Sequence, residues 1–212
     1  MPSYFNLIWA QLNTPGEFFL LPFRLFLEKY LLPGYNLKKA QALLPLLPKH
    51  ARLLDVGCGK GEVSCYLQNL APSLEIVGLE VRKTLNCRIP LIIYDGKRIP
   101  FRDNAFDGIL LIDVLHHTED IPGLLKECKR VGKWVIVLEH PYFSSLSYLL
   151  LSAGDILFNF AFSSPTSLQF KKKQEWRRIF FQEGFYIEKE VKNLYLGGRV
   201  NSRYNFLVKL RK

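Results

Sequence analysis

Cysteine is scarce in this 212-residue chain: Cys58, Cys65, Cys87 and Cys128 form no Cys-x-x-Cys pair and have no histidine set at ligand spacing. Neither a zinc site nor a disulfide framework is therefore expected, and a reducing cytoplasmic compartment fits best. The first ten residues hold no lysine or arginine, so the charged start of a secretory leader is missing. Long charge-free apolar runs are lacking too. The best candidate, residues 146–162, falls short of the roughly twenty residues a membrane span needs and contains Gly154, Asp155 and Asn159. Acidic groups are thin at one end only: residues 163–212 hold twelve basic and four acidic groups, whereas residues 51–162 hold twelve and thirteen. The net charge of +10 is therefore concentrated around Lys171, Lys172, Lys173, Arg177, Arg178, Arg211 and Lys212. Such a skew suits a solvated rim, an anionic membrane or a nucleic acid. No aromatic residue interrupts the lysine run, as a single-strand stacking platform would want.

What is present begins with apolar residues, 49% of the chain, enough for one domain with a sizeable core. Residues 52–56 (Arg-Leu-Leu-Asp-Val) read as a strand, followed by Gly57, Gly59 and Gly61 and then a helix from Glu62 with Val63, Tyr66, Leu67 and Leu70 on one face. Glycines in that order let a tight turn approach a ligand with no Cβ in the way. A dinucleotide fingerprint would need glycine at position 62, which is Glu62, and a P-loop would need Ser or Thr where Gly61 follows Lys60. A loop presenting Asp55 beside glycine backbone suits a ligand with an ammonium group better than one with a pyrophosphate.

Further along, residues 75–80 form a second strand ending in Glu80, whose two oxygens suit a ribose diol. Pro90 and the short spacing to Asp95 leave room for a loop around residues 84–88 in place of a full crossover helix. Residues 89–94 are strand 3, followed by Asp95-Gly96, and residues 108–112 are strand 4. Asp120 or Thr118 caps the next helix, and residues 134–139 are strand 5. Upstream, residues 17–32 read as a helix ended by Pro33-Gly34, with Asn36 capping a second helix. Residues 174–184 read as a helix closed by Gly184, and residues 185–191 and 204–210 as the last two strands.

The acidic residue followed by Gly57-x-Gly59-x-Gly61, together with Ile99-Pro-Phe-Arg-Asp-Asn-Ala-Phe-Asp107 and Leu115-His-His-Thr118, resembles the class I S-adenosylmethionine-dependent methyltransferases, most strongly the type 11 branch. The resemblance covers about residues 53–137. It implies an α/β, Rossmann-like, doubly wound sheet of seven strands, the last antiparallel, with helices on both faces. It also implies an N-terminal helical lid (1–50), a methyltransferase domain (51–212) and a helical substrate cap after strand 5 (141–173). S-adenosyl-L-methionine is the implied cofactor, held by Asp55, Gly57, Gly59, Gly61, Glu80, Val81, Asp95, Gly96, Ile112 and Asp113. Asp95 would accept from the adenine amino group. His116, His117 and His140 follow strand ends and are the candidate proton acceptors, since a hydroxyl or carbon acid must lose a proton to be methylated. The expected partner is a small, hydrophobic acceptor, with no metal. The alternative is a non-catalytic cofactor-binding or accessory protein that docks nucleic acid or an anionic membrane through its basic C-terminal region.

Overall fold

The computed structural model describes residues 22, 24–84, 86–162, 167–192, 194, 196 and 205–212. Seven strands make one sheet: β1 Ala51–Val56, β2 Leu74–Glu80, β3 Leu91–Ile93, β4 Phe106–Ile112, β5 Gly132–Glu139, β6 Tyr186–Val191 and β7 Phe206–Arg211. Their order is β3-β2-β1-β4-β5-β7-β6. The first five pair in parallel, and β7 runs antiparallel between β5 and β6. This is the sheet expected from the sequence.

Parallel strands covered on both faces must be apolar in nearly every position, and β1, β4 and β5 are. Adjacent residues serve opposite layers. Leu54, Ile109 and Val135 pack with Leu125, Val131, Trp176 and Phe180 from α3 (Ile121–Val131) and α5 (Lys173–Gln182). On the other face, Leu53, Leu110 and Ile136 meet Ala40, Leu43 and Leu67 from α1 (Leu32–Leu43) and α2 (Glu62–Leu70). The remaining helix, α4 (Ser145–Phe162), follows β5.

Local chemistry sets the boundaries. Asp120 caps α3, its carboxylate accepting from Gly123 N at 2.9 Å. Gly184, at φ 72°, turns the chain out of α5. Among the described residues no helix joins β2 to β3, as the short, Pro90-containing spacing requires.

Three readings need correction. Pro33-Gly34 does not stop a helix: the chain passes from a π-helical turn, Leu27–Leu31, straight into α1, with Pro33 in the first turn where its missing N–H costs nothing. Asn36 is consequently inside α1 and caps nothing; its amide donates to Glu62 Oε2 at 2.5 Å. In α2 the apolar face is rotated from the one expected: Ser64 is buried and Leu70 is 42% exposed. The reason is polar, because Ser64 is needed inside to donate to Asp55. The upstream part of the first helix (17–21) and Tyr204 of the last strand lie outside the described residues.

Candidate active site

All the parallel strands end on the same side, and the candidate residues gather there. The three loop glycines have φ of 70°, 56° and 66°, a region where L side chains are strained. They are not equivalent in space. A Cβ on Gly57 would meet Val114 Cγ2 at 2.7 Å, and one on Gly61 would meet Ile89 Cγ1 at 2.6 Å, so both are fixed by packing. A Cβ on Gly59 would meet nothing within 4 Å. Its backbone is therefore the part of the turn left open to a ligand.

The two carboxylates predicted for the cofactor do converge. Asp55 is opposite Gly78 in the β1–β2 register, two residues from Glu80. Glu80 accepts from Gly59 N at 2.7 Å through one oxygen and from Val81 N at 3.1 Å through the other, which clamps the loop to the end of β2. Asp55 is buried and accepts from Ser64 Oγ at 2.7 Å. Burial pushes its pKa up to about 7, against the lowering effect of the Ser64 bond and with help from the Glu80 charge. Such a carboxylate is short of positive charge. A ligand bringing an ammonium group and a vicinal diol to the open side of Gly59 fits this pair.

Val81, Asp95 and Gly96 follow the ends of β2 and β3. A Cβ on Gly96 would touch Val81 Cγ1 at 3.2 Å. Asp95 is exposed, with one oxygen accepting from Lys97 N and Arg98 N, an arrangement that holds its carboxyl below the usual range. Ile112, the last residue of β4, is half-buried against the apolar layer of α1 and α2.

Asp113, at φ 57°, sits where β4 ends. Its carboxylate pairs with Lys39 Nζ of α1 and lies 3.2 Å from His140 Nε2. Burial would raise its pKa, but Lys39 and His140 overcome that and hold the carboxyl well below its ordinary value. Tyr35 Oη is 3.1 Å from His140 Nε2. Thus Asp113 and His140, both expected at the site, tie α1 to the carboxyl end of the sheet.

The other two histidines belong to a separate cluster. His116 Nδ1 lies 2.6 Å from Glu139 Oε2, and the other oxygen of Glu139 accepts from Leu115 N at 2.7 Å. Asp155 of α4 closes the group, with Oδ1 3.8 Å from His116 Nε2 and 3.7 Å from His117 Nε2. Desolvation works against charge on His116, yet Glu139 and Asp155 push its pKa up to about 10, so it is an imidazolium at neutral pH. His117 moves the other way: burial and the neighbouring His116 charge lower its pKa, leaving a neutral ring. Phe170 stacks on His116 with centroids 4.6 Å apart, and Ser167 Oγ donates to the His116 carbonyl at 2.6 Å.

No metal was expected from the sequence, but His116, His117 and Asp155 do offer ligand atoms within 4.8 Å of one another. A metal needs deprotonated ligands, and the raised His116 pKa opposes that here. Sequence reasoning missed Lys39, Tyr35, Asp155 and Ser64. Asp155 had one visible sign, a lone carboxylate in an apolar helix; Lys39 had none.

Residues 54–134 match a family described as a methyltransferase domain. An uncharacterized methyltransferase of Schizosaccharomyces pombe is 32% identical over 112 residues, 43% of this chain and 39% of that one. A demethylmenaquinone methyltransferase of Staphylococcus aureus is 28% identical over 165 residues, 65% of this chain and 68% of its own length. The chain spans about two fifths of the length of several other curated relatives. Among solved structures, a SAM-dependent methyltransferase from Thermotoga maritima superimposes with a TM-score of 0.66 at 20% identity, covering 91% of this chain and 100% of that chain.

Proposed function

We propose that the protein, whose residues 54–134 match a methyltransferase-domain family in a chain folded like a SAM-dependent methyltransferase, methylates a small, hydrophobic acceptor. When bound, S-adenosylmethionine supplies an electrophilic methyl group on a sulfonium. Asp55 and the Gly59 backbone receive the amino-acid end of that cofactor, Glu80 the ribose, and Val81, Asp95 and Gly96 the adenine edge. Ile112 and Asp113 flank it from β4.

The supporting observation is the link between this cradle and the histidine pair. Gly57 packs on Val114, which immediately precedes the turn Leu115–His117. A lowered-pKa imidazole and its charged neighbour are thereby held side by side in the turn that follows Val114, their ring centroids 4.0 Å apart. His117 is the proton acceptor, because a neutral ring can take a proton and an imidazolium cannot. His116, saturated by Glu139, positions His117 and keeps its pKa low. His140 acts structurally, latching α1 as the lid together with Asp113, Lys39 and Tyr35. Residues 141–173 form the substrate cap, with Asp155 its inward-facing acid.

The test is transfer of labelled methyl from S-adenosylmethionine to an organic extract. Label should enter an apolar small molecule, and His117→Asn should reduce the rate by about 10²-fold or more while cofactor affinity is kept. Tight cofactor binding with no label in any fraction would instead support the non-catalytic reading.

A further inference from the structure

Helix α4 is folded inside out. Along Ser145–Phe162, the residues that face inward are polar: Ser152 is 6% exposed, Asn159 is 3% exposed, and Asp155, between them at helical spacing, meets the two histidines. The outward side is apolar. Leu146 is 65% exposed, Leu149 63%, Leu150 59%, Ile156 50%, Leu157 47% and Phe160 52%. A soluble helix places its apolar stripe on the core, so the reversed arrangement needs a second apolar phase outside the protein. The buried side also leaves Ser152 Oγ and Asn159 Nδ2 without a partner among the described residues.

Among the described residues no helix is long and apolar enough to cross a bilayer. A helix with an outward apolar face, anchored inward by buried polar groups, lies along a surface. Charge then decides which surface. Lys172 Nζ sits 5.6 Å from the centroid of the Tyr142 ring, which packs on Tyr148 of α4 at 5.2 Å, so a cation stands beside the first turns of the apolar face. Lys171 and Lys173 flank it in a chain of net charge +10. Part of the remaining basic C-terminal region is paired in place: Arg177 with Glu190, and Lys209 and Arg211 with the single carboxylate of Glu188. That pairing weakens the case for a nucleic-acid surface and leaves Lys172 beside α4, with Lys171 and Lys173 next to it in sequence.

We propose that the outer face of α4, with Lys171–Lys173 at its edge, docks the protein on the interfacial layer of an anionic membrane. Binding is peripheral and reversible, apolar side chains entering the headgroup boundary and lysines meeting anionic lipid. The inference stands apart from the methyl-transfer reading, because vesicle binding is measured without cofactor or acceptor.

The experiment is co-sedimentation of the full chain with vesicles of phosphatidylcholine alone or with phosphatidylglycerol. The protein is expected to pellet with the anionic vesicles and to be released by salt. Leu149→Glu with Leu157→Glu should weaken binding at least tenfold. Lys171→Ala, Lys172→Ala and Lys173→Ala together should remove the preference for anionic lipid. The Leu149→Glu, Leu157→Glu variant should keep the wild-type thermal midpoint, since both leucines are exposed; Lys171 and Lys173 are half-buried against the Trp176 and Phe206 rings, so the lysine variant is compared with wild type at temperatures where both are folded. Failure to bind either vesicle, or equal binding by the Leu149→Glu, Leu157→Glu variant, would overturn the proposal. So would a dimer in light scattering that the glutamates dissolve, or tight nucleic-acid binding that they leave intact with no vesicle binding.

Discussion

His116 Nδ1 lies 2.6 Å from Glu139 Oε2, joining the turn after β4 to the last residue of β5 by a buried ion pair. Glu139 has no exposed surface and also serves the Leu115 N–H, so it fixes both the charge and the backbone of the histidine turn. The pKa of His117 is lowered first by burial and then by the charge on its neighbour.

Glu139→Gln should therefore change the pH dependence of stability. The folded pKa of His116, about 10, is above its ordinary value, so the pair stabilises the fold fully below about pH 6.5 and the gain is lost as pH rises towards 10. The wild-type unfolding free energy should fall over that range by an amount on the order of a few kcal/mol, and the variant's should fall less. Urea titrations at pH 6 and pH 10 measure this; parallel slopes for the two proteins would refute the charge assignment.

Substitution at the glycines should separate packing from ligand access. Gly57→Ala drives a methyl into Val114 at a left-handed position, so the fold should lose stability. Gly59→Ala meets open space and should cost only about 1 kcal/mol of backbone strain. It should nevertheless weaken cofactor binding at least tenfold, because the new methyl occupies the side from which the ligand approaches. Thermal melts and calorimetry with S-adenosylhomocysteine give the two readouts.

How much of this was legible in the sequence depends on distance along the chain. Asp55, Gly57, Gly59 and Gly61 are nearly consecutive, so their backbone demands are written locally, and Glu80 meets Gly59 N because it ends the neighbouring strand 21 residues on. Lys39 and Asp113 are 74 residues apart, and nothing in Lys38-Lys39 marks which of the two is turned inward. Residues 146–162 were recognisable as a helix, but leucine and phenylalanine occur all round it. Only the contact of Asp155 with the histidines reveals that the polar stripe faces in. Asn36 illustrates the opposite failure: a good capping residue was overridden by a continuous helix and given a partner in Glu62.

Chelation should leave the labelled transfer unaffected. The nitrogen of His116 that faces Asp155 and His117 carries a proton up to about pH 10, and displacing it costs a metal much of its binding energy. Protein dialysed against EDTA is expected to keep its activity. A stoichiometric metal in the purified protein, with activity lost on removal and restored by zinc, would show that the cluster is a metal site.

Asp55 offers the sharpest separation of stability from function. Its pKa, up to about 7, is raised by burial first and by the Glu80 charge as well, so the folded state favours the protonated form. A raised carboxyl pKa contributes stability at low pH that is lost as pH climbs from about 4 towards 7, which makes the ionised carboxylate a burden on the unliganded fold. A cationic amino-acid tail reverses that balance by pairing with the ionised form. Affinity for S-adenosylhomocysteine should therefore rise with pH through about 7, and binding near pH 6 should release a proton, seen as a buffer-dependent calorimetric heat. Asp55→Asn should remove the pH dependence and weaken binding at pH 8 while leaving the unliganded protein as stable as wild type or more so. Undiminished affinity in that variant would mean that the buried carboxylate faces something other than the ligand's ammonium group.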